Sequence, residues 1–204
     1  MRVLVGCERS GIVRDAFRKR GHDAWSCDIL PVGKGAYHHY NCDLREILDF
    51  RWDLAIFHPP CTFLSKAGAR WLYQGGEINK ERLELGMKAK EFLMELLNAD
   101  IPRIALENPT PLKIFELPPH TQVIQPYQFG HPYSKRTLLW LKNLPELKPT
   151  GVLDDYKPYL PSNTGGKKRG QKSVTQGVVR DKTLASKTFQ GIAEAMAGQW
   201  GSLR

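Results

Sequence analysis

Residues 2–29 read RVLVGCERSGIVRDAFRKRGHDAWSCDI, and a β-prone run, a helical period and a second β-prone run follow one another within them. Arg2 to Val5 is a short apolar strand. Ser10 is a candidate helix cap, and Ile12, Val13, Ala16 and Phe17 fall on one face of a helix that Gly21 stops. His22 to Ile29 is a second strand ending in an acid, Asp28, and Asp43 stands near the next crossover. This unit is half of a doubly wound α/β sheet.

The same grammar continues outward. Leu54-Ala55-Ile56-Phe57 is a buried strand within 53–57, and Pro59-Pro60 ends it because proline donates nothing to a ladder. Ser65 to Gly76 has no clear period and is expected to be mobile; a helix then runs from about Lys80 to Asn98, carrying Leu83, Met87, Leu93, Met94 and Leu97. Ile104-Ala105-Leu106 is another buried strand, and Thr137 to Leu141 is the last. From Pro145 the chain turns rich in Pro, Gly and Lys, which predicts an irregular insert over 145–186. Phe189, Ile192, Ala193, Met196, Ala197 and Trp200 return to a 3.6-residue period, so a last helix within 187–204 packs back on the core of 1–144.

Composition narrows the class. The chain has 204 residues, 41% of them hydrophobic and 25% charged, which excludes wholesale disorder. Thirty basic residues against 21 acidic ones give +9, a surplus that favours a polyanionic partner. Lys167, Lys168, Arg169, Lys172, Arg180, Lys182 and Lys187 against Asp181 supply two-thirds of that surplus, and the nearby glycines let backbone approach phosphates. No apolar run is long enough to span a bilayer and no secretory leader is visible, so a cytoplasmic protein is expected. Cys7, Cys27, Cys42 and Cys61 form no CxxC pair, which argues against zinc.

Two strand ends carry chemistry. Cys61 follows the proline pair in a fixed turn at the carboxyl end of a strand, where open α/β sheets bind ligands, and an exposed thiol there suits a nucleophile. Glu107 follows three apolar residues; reduced solvation raises a carboxyl pKa and suits proton donation. Asp28 and Asp43 read either as turn formers and caps or as acids for a nucleotide's ribose. Cys7, Cys27 and Cys42 read as core or near-core thiols, and His58, His131, His38 and His39 as ordinary polar residues. His58-Pro59-Pro60-Cys61 fails as a zinc deaminase site because position 64 is Leu. With His and Cys in its outer places, it also departs from amino-group methyltransferases.

Taken together, Cys7 to Asp28 (CERSGIVRDAFRKRGHDAWSCD), Asp43, His58 to Cys61, Glu107-Asn108-Pro109, Phe129 to Thr137 (FGHPYSKRT) and the last helix resemble the DNA cytosine-5 methyltransferases, in a compact form like those encoded by phages. The resemblance implies a Rossmann-like sheet of the S-adenosylmethionine-dependent methyltransferase type. It implies that Cys61 adds to carbon 6 of a cytosine flipped out of duplex DNA, that Glu107 holds and protonates the ring nitrogen, and that carbon 5 takes the methyl of S-adenosylmethionine. Lys135 and Arg136 stand near the family's catalytic arginines. Cys7, Glu8, Ser10, Gly11, Asp28, Ile29, Asp43 and Pro59 match its cofactor-binding positions.

Several positions depart from the family. Cys7 and Arg9 replace a phenylalanine and a glycine, Tyr133, Lys135 and Thr137 replace a glutamine and two arginines, and Ser186-Lys187 replaces an asparagine-serine pair. The base-reading domain shrinks to the basic insert, in which Lys167, Lys168, Arg169, Lys172 and Arg180 are the expected nucleic-acid contacts. Slight sequence discrimination follows, with a short site or an accessory protein supplying specificity. Two rival readings keep the fold: a non-catalytic nucleic-acid or host-factor binder, and the same chemistry on RNA.

Overall fold

The computed structural model describes residues 1–32, 37–159 and 187–203. Seven strands make one sheet: β1 (Arg2–Gly6), β2 (Asp23–Cys27), β3 (His39–Tyr40), β4 (Leu54–Phe57), β5 (Ile104–Asn108), β6 (Gln122–Ile124) and β7 (Thr137–Lys142). Their order across the sheet is β3-β2-β1-β4-β5-β7-β6. Only β7 is reversed, lying antiparallel between β5 and β6; the rest run parallel. This is the expected class, a doubly wound, mostly parallel α/β sheet. The order reverses between β1 and β4, the switch point beside which such sheets hold ligands.

Strand alternation divides the apolar residues between two cores. Val3, Val5, Leu54, Ile56, Ala105 and Leu139 face helices α1 (Ile12–Lys19) and α3 (Gln190–Gln199). Leu4, Ala55, Phe57, Ile104, Leu106 and Trp140 face α2 (Lys80–Leu97) and Phe115. The last helix therefore covers the first, as its apolar period requires: Ile192, Ala193, Met196 and Trp200 share a cluster with Val13 and Phe17. On α2 the expected stripe is narrower, since Met87 is exposed while Gly86 is buried against Phe115.

Several local expectations are corrected. Ser10 is not the cap of α1: Gly11 is, at φ 72°, a left-handed conformation that suits glycine. Ser10 Oγ still accepts from the first helical amide, Ile12 N, at 3.4 Å, and the next two amides go to Glu8, whose carboxylate accepts from Val13 N (2.7 Å) and Arg14 N (3.3 Å). Residues 65–76, read as lacking order, hold a short helix Ala69–Leu72 and the start of a hairpin pairing Tyr73–Gln74 with Glu77–Ile78. Strand β6 escaped the sequence reading because three residues at a sheet edge show too little alternation to register.

Residues 145–159, grouped with the insert on composition, touch the core. Leu147 is buried, and Gln122 takes both its backbone groups, donating to its carbonyl at 2.8 Å and accepting from its amide at 2.9 Å. Gln199 does the same for Lys148, at 2.8 Å each way. Tyr159 and Phe189 meet with ring centroids 4.7 Å apart, and Tyr133 packs on both. Lys167, Lys168, Arg169, Lys172 and Arg180 lie outside the described residues. No helix among the described residues is long and apolar enough to cross a membrane.

Candidate active site

Strand β4 is fully buried, and His58 extends it by one residue, donating its amide to Gly6 O at 3.0 Å. Pro59-Pro60 then stops the ladder, and Cys61 opens a turn in which its carbonyl accepts from Leu64 N and Ser65 N. On the neighbouring strand, Phe57 lies opposite Leu106, so the next pair outward is His58 and Glu107. The two loops that follow are zipped together: Lys66 N donates to Thr110 O at 3.0 Å and Leu112 N to Leu64 O at 2.7 Å. Backbone pairing thereby fixes the thiol's loop against the carboxylate's.

The polar groups converge on the α1 face of this edge. His58 Nδ1 and Glu107 Oε2 are 2.9 Å apart, with side chains 12% and 19% exposed. Burial pushes the Glu107 carboxyl up, but the hydrogen bond and charge of His58 and the charge of Lys135 outweigh it, so its pKa lies below the usual carboxylate value. The expectation of a raised Glu107 is therefore reversed: the carboxylate is held ionised. Cys61 is half-buried rather than exposed. Burial and then the Glu107 charge raise its pKa, against Lys135, which makes the resting group a thiol.

Of the two basic residues expected here, the structure brings Lys135 to the pair; Arg136 is exposed and its charge bears on neither. Strand alternation sends Asn108 to the opposite face, where its amide is buried without a partner among the described residues. His58, read from sequence as ordinary, is the site residue that reading missed. Its signal lay in the register of β4 against β5, which one-dimensional periodicity does not carry.

A cleft of about 250 Å³ opens at the carboxyl ends of β1 and β2, lined by Cys7, Asp28, Ile29, Asp43, Pro60 and Phe92 among others. Four expected cofactor positions, Cys7, Asp28, Ile29 and Asp43, thus share one wall. Pro60 lines it and Pro59 is buried; Glu8, Ser10 and Gly11 instead build the start of α1. Cys7 sits in the left-handed region at φ 58°, and burial, then the charges of Asp28 and Asp43, push its thiol up to about 12. Asp28 accepts from Leu30 N at 2.8 Å, and Asp43 caps the short helix Leu44–Ile47, so both acids are turn formers as well as cleft walls. Cys27 and Cys42 also line the cleft, their sulfurs 3.9 Å apart.

No protein-family model and no curated protein matches the chain. Among solved structures, the chain is similar to a crystal structure of a prophage-encoded protein of E. coli described as a DNA modification methyltransferase. Identity is 15%, the TM-score is 0.44, and the match covers 75% of this chain and 52% of that one. This chain thus spans about half the length of that structure.

Proposed function

We propose that the protein methylates carbon 5 of cytosine in DNA, using S-adenosylmethionine, through a covalent adduct on Cys61. The observation that carries this reading is the meeting of a thiol, an ionised carboxylate and a lysine at two adjacent strand ends, one residue beyond a wall of the cleft.

The cleft fits a nucleoside cofactor. Its volume lies just under the roughly 300–1,000 Å³ of small-molecule sites, a size for the nucleoside portion. Its carboxylates, Asp28 and Asp43, are acceptors for hydroxyl and amino donors, while Ile29 and Phe92 offer apolar surface to a base. When bound, S-adenosylmethionine supplies an electrophilic methyl group.

The protein's own residues handle the cytosine. A sulfur–carbon bond forms between Cys61 and carbon 6 as the thiol loses its proton, and the electrons of the 5,6 double bond shift to make carbon 5 nucleophilic. One proton leaves sulfur and one arrives at ring nitrogen 3; Glu107, a carboxylate at rest, serves as the base that carries it. Lys135 offsets the charge that builds between them. Once carbon 5 carries the methyl group, its own proton passes to solvent, Cys61 leaves with the electrons of the sulfur–carbon bond as the 5,6 double bond re-forms, and the nitrogen-3 proton returns through Glu107 to the sulfur.

The test is adduct trapping. Purified protein, S-adenosylmethionine and a duplex carrying 5-fluorocytosine should give a species stable to denaturant, absent in Cys61→Ala. No methyl transfer and no adduct, with Cys61→Ala indistinguishable from wild type, would sink the proposal.

A further inference from the structure

The site contains one group to which the proposed chemistry gives no task. His58 is held on all sides: its amide is bound to Gly6 O, Pro59 follows it, and its Nδ1 meets Glu107 Oε2 at 2.9 Å. Its Nε2 is buried and has no hydrogen-bond partner among the described residues. An apolar side chain would fill the same space without leaving a buried nitrogen unpaired, so packing does not account for an imidazole here. The bond to Glu107 does.

The surroundings give that bond a direction. Glu8, from the β1–α1 turn, is buried and feels the charge of His58. Glu107 faces His58 from β5, and the charge of Lys135, from the segment before β7, bears on Glu107. Arg14 of α1 bears on Glu8. The imidazole thus bears on two carboxylates: that of Glu8, which accepts from Val13 N and Arg14 N, and that of Glu107, to which it is hydrogen-bonded.

We infer that His58 is a positioning residue: its Nδ1–H clamps Oε2 of Glu107, so that the other carboxylate oxygen is the one presented to substrate. It acts through Glu107 and does not itself touch the reacting atoms. The inference deepens the proposed reading, because Glu107 is the group being positioned. It assigns a role to a residue whose sequence signal was silent.

Two arms test it. The first needs no catalysis. In the imidazole ¹⁵N spectrum of the full chain, the His58 signal, assigned by its loss in His58→Asn, should show a hydrogen-bonded Nδ1–H that changes in Glu107→Gln. An unchanged signal overturns the clamp whether or not the protein methylates DNA.

The second arm compares His58→Ala, His58→Gln and His58→Asn, each checked for wild-type near-ultraviolet circular dichroism. The Asn amide sits where Nδ1 does, whereas the Gln amide reaches toward the Nε2 side. Misplacing a reacting group by about 1 Å can cost roughly a hundredfold. Methyl transfer by His58→Ala and His58→Gln should therefore fall at least about tenfold in kcat with KM for DNA within about threefold, and the acid limb of the pH profile should move up as Glu107 loses its donor. His58→Asn should recover most of kcat. Wild-type kcat and pH profile in His58→Ala would refute the inference while leaving the proposed function standing. If wild-type protein forms no adduct, the proposed function fails and the spectrum alone decides the clamp.

Discussion

Replacing Trp200 tests whether the last helix is part of the core or an accessory to it. The side chain is fully buried in the cluster of α1, α3 and the sheet, and its indole nitrogen donates to Pro145 O at 2.9 Å. Truncation to alanine forfeits about 3–5 kcal/mol of packing, and the orphaned carbonyl adds about 1–3 kcal/mol where water does not reach it. Folded domains hold only about 5–15 kcal/mol in all. At about 2–4 °C per kcal/mol for a chain of this size, Trp200→Ala should lower the Tm by roughly 8–30 °C. Trp200→Phe keeps a ring and loses the donor, so its cost should be about 1–3 kcal/mol, that of the orphaned carbonyl. Thermal unfolding followed by far-ultraviolet circular dichroism measures both. A fall below about 3 °C for the alanine variant would show that α3 contributes little to the core and refute the packing argument.

Two further outcomes follow from the buried carboxylates and the cleft. Burial raises the Glu8 pKa, so its ionised form opposes folding above that raised value, and stability should rise as pH falls through it toward the ordinary carboxylate range. The lowered Glu107 acts below that range, where its contribution is lost on further acidification, so the two windows do not overlap. Denaturant titrations across pH should show the upper window flattened in Glu8→Gln, whose amide keeps an acceptor for Val13 N; parallel curves would contradict the assignment. Asp28→Ala should weaken S-adenosylmethionine binding by at least about tenfold in calorimetry, the worth of one hydrogen bond to a charged group; unchanged affinity would separate the cleft from the cofactor.

Much of the fold was legible because its signals are local. β4 and β5 are short apolar runs closed by prolines, and α3 carries a clean 3.6-residue period. Cys61 and Glu107 were visible for the same reason, as polar residues issuing from apolar strands. What was not legible depends on pairing across the sheet. His58 acquires a role only when Phe57 lies opposite Leu106, and the ionisation of Glu107 reverses sign only when His58 and Lys135 are beside it. Ser10 accepts from Ile12 N, but a left-handed Gly11 holds the cap position of α1 and Glu8 reaches Val13 N from before the turn, an arrangement that spacing along the sequence does not reveal.

The meeting of Tyr133, Tyr159 and Phe189 has a consequence for how this chain can diversify. Because Tyr159 and Phe189 touch, the chain leaves the core and re-enters it at one point, and the core is blind to how much polypeptide passes between. Closing a loop whose ends already coincide costs only about 0.6 kcal/mol more for each doubling of its length. The interval from 160 to 186 is thus a thermodynamic socket, whose length can change without disturbing the sheet. Tyr133 stands two residues before Lys135, so the point of exit and return adjoins the segment that brings this lysine to the candidate site.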